Sequence, residues 1–243
     1  MGTGQARTVA WITLRATLGR KRAILFAIPP LILVLVTALL TQLHSLRPGW
    51  PAIVLGEFGF AVVLPLTALI IGTSVLGAEI DDGSVVHLLA TPVRRGTVIL
   101  AKFAVAVALT AVFAALPEFA AGVIATGGGT RLAAGLLVGA LAGSVVYNAV
   151  FLMLSVATTR AIAVGLLYLL IWESLLSPLV SGVRLLSVSQ YSLGVANAIA
   201  RDPALHAHLG VGVAAGLGVA VTAAALTVAV RRLERFSLKG DVA

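Results

Sequence analysis

Long apolar runs broken by short polar stretches dominate the chain, at 23–43, 53–76, 97–125, 132–157, 161–181 and 209–230. A hydrocarbon core about 30 Å thick takes about 20 helical residues to cross. Each run predicts a membrane-crossing helix, because within lipid only a helix satisfies its own backbone polar groups inside one segment. The third and fourth runs are separated by "TGGGTR" (126–131), and the fourth and fifth by "TTR" (158–160), so both pairs predict tight helical hairpins. Two amphipathic stretches lie outside these runs, one before the first and one between the fifth and sixth. In "QARTVAWITLRATLGRKR" (5–22), Trp11, Leu14 and Leu18 share a face while Arg15, Arg20 and Arg22 can reach headgroups, which predicts an interfacial helix; Arg7 falls on its apolar face. Residues 182–208 are too polar to span and too apolar to hang free, which predicts a re-entrant or interfacial helix packed on the bundle. The expected organisation is all-α: an N-terminal interfacial helix at 1–22, a six-helix transmembrane domain at 23–230 and a tail at 231–243.

Composition agrees. The chain has 243 residues, 60% hydrophobic and 11% charged, with mean hydropathy +1.09; soluble domains are about 45–50% apolar and about 25% charged. The absence of Cys excludes disulfides and thiolate metal sites. The net charge of +8 comes from Lys and Arg placed singly or in short clusters beside apolar runs, the arrangement of topology signals rather than of a nucleic-acid surface. With the N-terminus inside, thirteen of the seventeen basic residues fall on the cytoplasmic side, leaving Arg47, Arg131, Arg184 and Arg201 outside. Both termini are therefore expected to be cytoplasmic. The first run is about 21 residues long and lacks a small-x-small cleavage site, so it reads as a retained span.

Several chemistries lack their residues. No G-x-x-x-x-G-K-[ST] phosphate loop occurs, so ATP hydrolysis is not expected on this chain. His44, His87, His206 and His208 do not cluster on one segment, and a metal site is not expected. No run carries the Ser and His of an intramembrane protease. Three acids lie in or near the spans: Glu57, Glu118 and Glu173, all toward the outer ends. Buried charge in lipid costs about 2.5–3.5 kcal/mol on insertion scales. These glutamates read as capping or pairing groups in a polar outer vestibule, with a substrate or proton role as the alternative.

One stretch stands apart, "GAEIDDGSVVHLLATPVRRGTVILAKF" (77–103), which holds three of the nine acids. Asp81, Asp82 and Ser84 suit a helix N-terminus, "SVVHLLATP" reads as a short amphipathic helix ending before Pro92, and Arg94-Arg95 mark re-entry into the membrane. A short cytoplasmic helix between two spans is a handle that another protein can push.

This stretch resembles the segment after the second helix of ABC-2-type transporter permeases, in Glu79, Gly83-Ser84, Leu88-Leu89, Thr91-Pro92-Val93, Arg95 and Lys102. "YLLIWESLL" in the fifth run also looks like that family. The resemblance implies an ABC-2 (type V exporter) fold with a cytoplasmic coupling helix at about 78–96, which meets a separate ATPase subunit through Glu79, Asp81, Asp82, His87, Leu88, Leu89 and Arg95. It further implies a bacterial plasma membrane exporter, two permease copies and two ATPase copies, with ATP and Mg on the partner and no cofactor on this chain. The substrate path is expected between permeases, along the second and fifth spans, with Phe58, Phe60, Tyr168 and Trp172 as candidates. Apolar walls point to a hydrophobic or amphipathic cargo such as a drug, antibiotic or lipid. An ion-driven secondary carrier would need internal repeats and midplane polar groups, which the sequence lacks; a non-transporting assembly partner is the remaining alternative.

Overall fold

The computed structural model describes residues 3–17, 19–43, 49–81, 95–180 and 182–236, and every regular element among them is helical. The elements are α1 (Thr3–Thr17), α2 (Arg20–Thr41), α3 (50–81), α4 (Arg95–Ala125), α5 (Thr130–Ala157), α6 (161–179), α7 (Val188–Ala200) and α8 (Val211–Phe236). Among the described residues α2, α3, α4, α5 and α8 are long and apolar enough to cross a membrane. The run expected at 161–181 is shorter: its apolar helix covers Ala161–Leu176, and helical winding ends where Val180 takes extended angles.

We call proximal the end of the bundle where α2 begins and the 158–160 turn lies, and distal the end that carries α7. Two apolar cores stack along the bundle. The proximal core joins Phe26, Ile71, Val75, Ile99, Leu152 and Leu233; the distal one joins Leu55, Phe60, Leu64, Phe151, Tyr191 and Leu193. Helix α5 is the axis, packing on α3, α4, α7 and α8. Between lipid-facing helices there is little hydrophobic drive, so close backbone approach supplies the packing. Here Gly135, Gly139 and Gly143 line one face of α5 at four-residue spacing, opposite Ser192, Ala196 and Ala200 of α7. A Cβ on Gly139 would sit 2.6 Å from the Ser192 carbonyl oxygen and 2.7 Å from the Ala196 Cβ. Gly139→Leu is thus expected to unseat α7, at a cost of about 1–3 kcal/mol for overpacking. It should read as a lower thermal midpoint of the solubilised protein; an unchanged midpoint would contradict this packing.

Helix α1 is real but shorter than the amphipathic stretch at 5–22. It stops at Thr17, and Arg20 already opens α2 after Gly19, whose extended ψ of 136° breaks the helix. Leu18 lies outside the described residues. Ala10 and Leu14 pack on the proximal core, while Trp11 is 58% exposed with the Arg15 guanidinium 5.7 Å from its ring centroid. An exposed Trp–Arg pair on a helix flanking the spans suits the headgroup layer.

Candidate functional site

Three stretches of the spans are wound as π-helix: Leu55–Val63 in α3, Ala111–Ala115 in α4 and Leu169–Leu176 in α6. Such turns displace the i→i−4 ladder and recur at functional sites. Each of the three intramembrane glutamates lies in or just after one: Glu57 and Glu173 fall within their segments, and Glu118 follows the α4 segment, next to Pro117.

Between the π-helical parts of α3 and α6 and the first turns of α7 lies a cavity of about 350 Å³. Its polar wall is Glu57, Glu173, Ser174, Ser177, Gln190 and His208, with Arg184 and Ser189 at the same site. Glu57 stands on its rim, 3.9 Å from His206, and both are more than half exposed. His208 is held by Gln190, whose Oε1 accepts from the His208 backbone N–H at 3.4 Å and lies 3.3 Å from its Nδ1.

Glu173 organises the site. Only 3% exposed, it accepts from Ser187 Oγ at 2.6 Å, the Val188 N–H at 2.8 Å, Ser189 Oγ at 2.9 Å, Tyr168 Oη at 3.0 Å and the Ser189 N–H at 3.5 Å. The first N–H groups of a helix have no partner within it. Glu173 takes two of those in α7, and Ser187 Oγ accepts a third from Gln190 at 3.4 Å. A side chain of one helix therefore caps the next helix. Tyr147, Tyr168 and Tyr191, the chain's three tyrosines, all lie within electrostatic reach of Glu173. Tyr191 Oη donates in turn to the Leu185 carbonyl at 2.6 Å, and Trp172 Nε1 donates to the Leu186 carbonyl at 3.3 Å.

The two other glutamates divide. Glu57 faces the cavity mouth. Glu118 is fully buried behind it against Gly59, and neither of its carboxyl oxygens has a hydrogen-bond partner among the described residues. Glu173 thus caps a helix, Glu57 lies beside His206, and Glu118 neither caps nor pairs among the described residues.

The aromatic candidates also divide. Trp172 bonds to the α6–α7 connection at Leu186, Tyr168 supports Glu173 from within α6, Phe58 packs partly buried on the distal core, and Phe60 is wholly inside it, against α5 at Gly139.

At the proximal end, α3 runs helical through Asp81, four residues beyond Gly77, as its Ala78-Glu79-Ile80 sequence of helix-compatible residues permits. Glu79 and Asp81 therefore belong to its last turn rather than to a separate helix start. Asp82, His87, Leu88 and Leu89 lie outside the described residues, and Arg95 is the first residue of α4. Two turns into α4, Lys102 is fully buried and its Nζ donates to the Val75 carbonyl at 2.7 Å. That bond ties together the two helices that flank the acid-rich connection.

Sequence reading missed the burial of Lys102, which it had as a motif position only, and the role of Ser187 and Ser189. A signal for the serines was present, since "SVSQ" is an N-capping sequence. Also missed was the buried contact of Asn148 Nδ2 with Thr110 Oγ1 at 2.8 Å, which joins α4 to α5.

Helices long and apolar enough to cross a membrane, with a polar cavity among them, are the build of a multi-pass membrane protein. Residues 18–186 match the family model described as ABC-2 family transporter protein, and the chain belongs to that family. Among curated proteins, none matches it. Membership makes the chain the membrane permease of an ABC transporter and implies association with an ABC ATPase partner.

Proposed function

We propose that the chain is the permease of an ATP-driven exporter in a bacterial plasma membrane, working as a pair of identical permeases with two ATPase subunits. Six crossings with both termini cytoplasmic follow from the basic-residue asymmetry, α6 serving as the short fifth crossing. The observation that carries the reading is the buried Lys102 bond between α3 and α4. The two helices entering and leaving the acid-rich connection are joined there, so a push on residues 78–96 moves both as one unit. ATP and Mg belong to the partner, and Glu79, Asp81, Asp82, His87, Leu88, Leu89 and Arg95 form the contact with it. Cargo passes along α3 and α6, with Phe58, Phe60, Tyr168 and Trp172 beside it. The predominantly apolar helix surfaces favour a hydrophobic or amphipathic compound.

Co-expression with candidate phosphate-loop ATPases from the same genome tests this. The cognate pair is expected to co-purify, and replacing residues 82–89 by Gly-Ser repeats should leave the permease folded while removing its effect on ATP turnover. ATP turnover that ignores that replacement, or failure to co-purify, would overturn the coupling assignment.

A further inference from the structure

We propose that the cleft between α2, α3 and the α5–α6 turn is a binding site for one anionic phospholipid, with its phosphate on Arg160. The cleft has a volume of about 690 Å³, within the range of about 300–1,000 Å³ usual for ligand pockets. It is divided by chemistry. Leu25, Phe26, Ile70, Ile162 and Leu166 form an apolar wall, and Leu25, Ile162 and Leu166 are exposed on the bundle's outer surface, so the cleft opens sideways toward hydrocarbon.

The other part carries hydroxyls and one charge. Thr73, Ser74 and Ser155 donate to carbonyls of their own helices, Leu69, Ile70 and Leu152, so their hydrogens are already used. Thr158 and Thr159 differ. Thr158 Oγ1 accepts the Arg160 N–H at 3.2 Å and keeps its own hydrogen, and the Thr159 hydroxyl bonds to nothing among the described residues. The Arg160 side chain is exposed on the rim, and no described residue pairs with its guanidinium. The free donors therefore gather at consecutive positions on the rim, no acid lines the cleft, and an apolar slot leads from them to lipid. A phosphodiester with an acyl chain matches this division: the phosphate meets a guanidinium and two hydroxyls, and the chain fills the apolar wall. A basic end of the bundle favours an anionic headgroup over a zwitterionic one.

Native mass spectrometry of the full-length, detergent-solubilised protein tests the site, because it reads binding independently of transport or an ATPase. Dioleoyl phosphatidylglycerol, dioleoyl phosphatidylcholine and inorganic phosphate are titrated separately. The expected result is saturable retention of one phosphatidylglycerol, at least several-fold tighter than phosphatidylcholine, and no displacement by millimolar phosphate. Arg160→Gln, an exposed change that removes no internal contact, should weaken retention several-fold. Ile162→Trp, which fills the apolar mouth, should do likewise, and Arg201→Gln at the distal end should not. Equal retention by Arg160→Gln and the parent protein, equal affinity for the two lipids, or full competition by inorganic phosphate would each overturn the assignment.

Discussion

Glu173→Leu is expected to release α7 from the bundle and lower stability by about 2–6 kcal/mol. The estimate takes two of the orphaned donors around Glu173 at about 1–3 kcal/mol each, the cost of leaving a buried polar group unsatisfied. The donors left behind include the Val188 N–H and the Ser187 and Ser189 hydroxyls, which Glu173 engages at 2.6–2.9 Å. Water cannot readily replace the carboxyl, because Ser187 is fully buried and Val188 nearly so. Leucine is close in volume, so the loss would reflect missing acceptors rather than an empty space. Glu173→Gln keeps one acceptor oxygen and should lose less. Thermal unfolding of the solubilised protein measures both, and limited proteolysis at 182–187 reports release of α7. A leucine variant as stable as the parent would mean that Glu173 does not hold this helix. Since the same carboxyl lines the distal cavity, transport should fall with the release.

A second large effect is expected where α3 meets α4. Gly→Ala in a helix ordinarily stabilises by about 0.5–1 kcal/mol. At Gly59 the sign should reverse: an added Cβ would lie 2.6 Å from Cδ and 2.7 Å from Oε2 of Glu118. Glu118 is fully enclosed and has little room to retreat, so Gly59→Ala should cost about 1–3 kcal/mol. Glu118→Ala removes the obstacle, and because no described group bonds to its carboxyl, it orphans no partner. In the double variant Gly59→Ala should become neutral or mildly stabilising, giving a non-additivity of at least about 1 kcal/mol in a double-mutant cycle. Additive losses would show that the two residues do not share this space.

The two glutamates show where sequence reading stops. Both are acids near the distal end of an apolar run, each beside a Pro or an aromatic, and nothing local tells them apart. Glu173 becomes a cap because the chain turns at 182–187 and brings "SVSQ" back onto it. Glu118 becomes an enclosed group with no hydrogen-bond partner among the described residues because α4 meets α3 at a glycine. Lys102 is similar. As a letter it belongs to a motif near a membrane boundary; as a side chain it is fully buried and holds α3 at Val75. The π-helical stretches were equally hidden, since no residue type demands them, and they set which way Glu57 and Glu173 face.

What the sequence by itself determined is the order and approximate bounds of the apolar helices, the two tight hairpins, and the existence of one helix before the first span and another before the last. Hydrocarbon imposes these locally, because each segment must satisfy its own backbone and present apolar side chains regardless of its neighbours. Tertiary structure decided the short reach of α6, the seating of α7 on the glycine face of α5, and the fate of each buried polar group. Those depend on which surfaces meet, and in a chain where nearly every surface is Ala, Val, Leu or Gly, apolar pattern does not select partners. Close backbone approach and a few buried hydrogen bonds do.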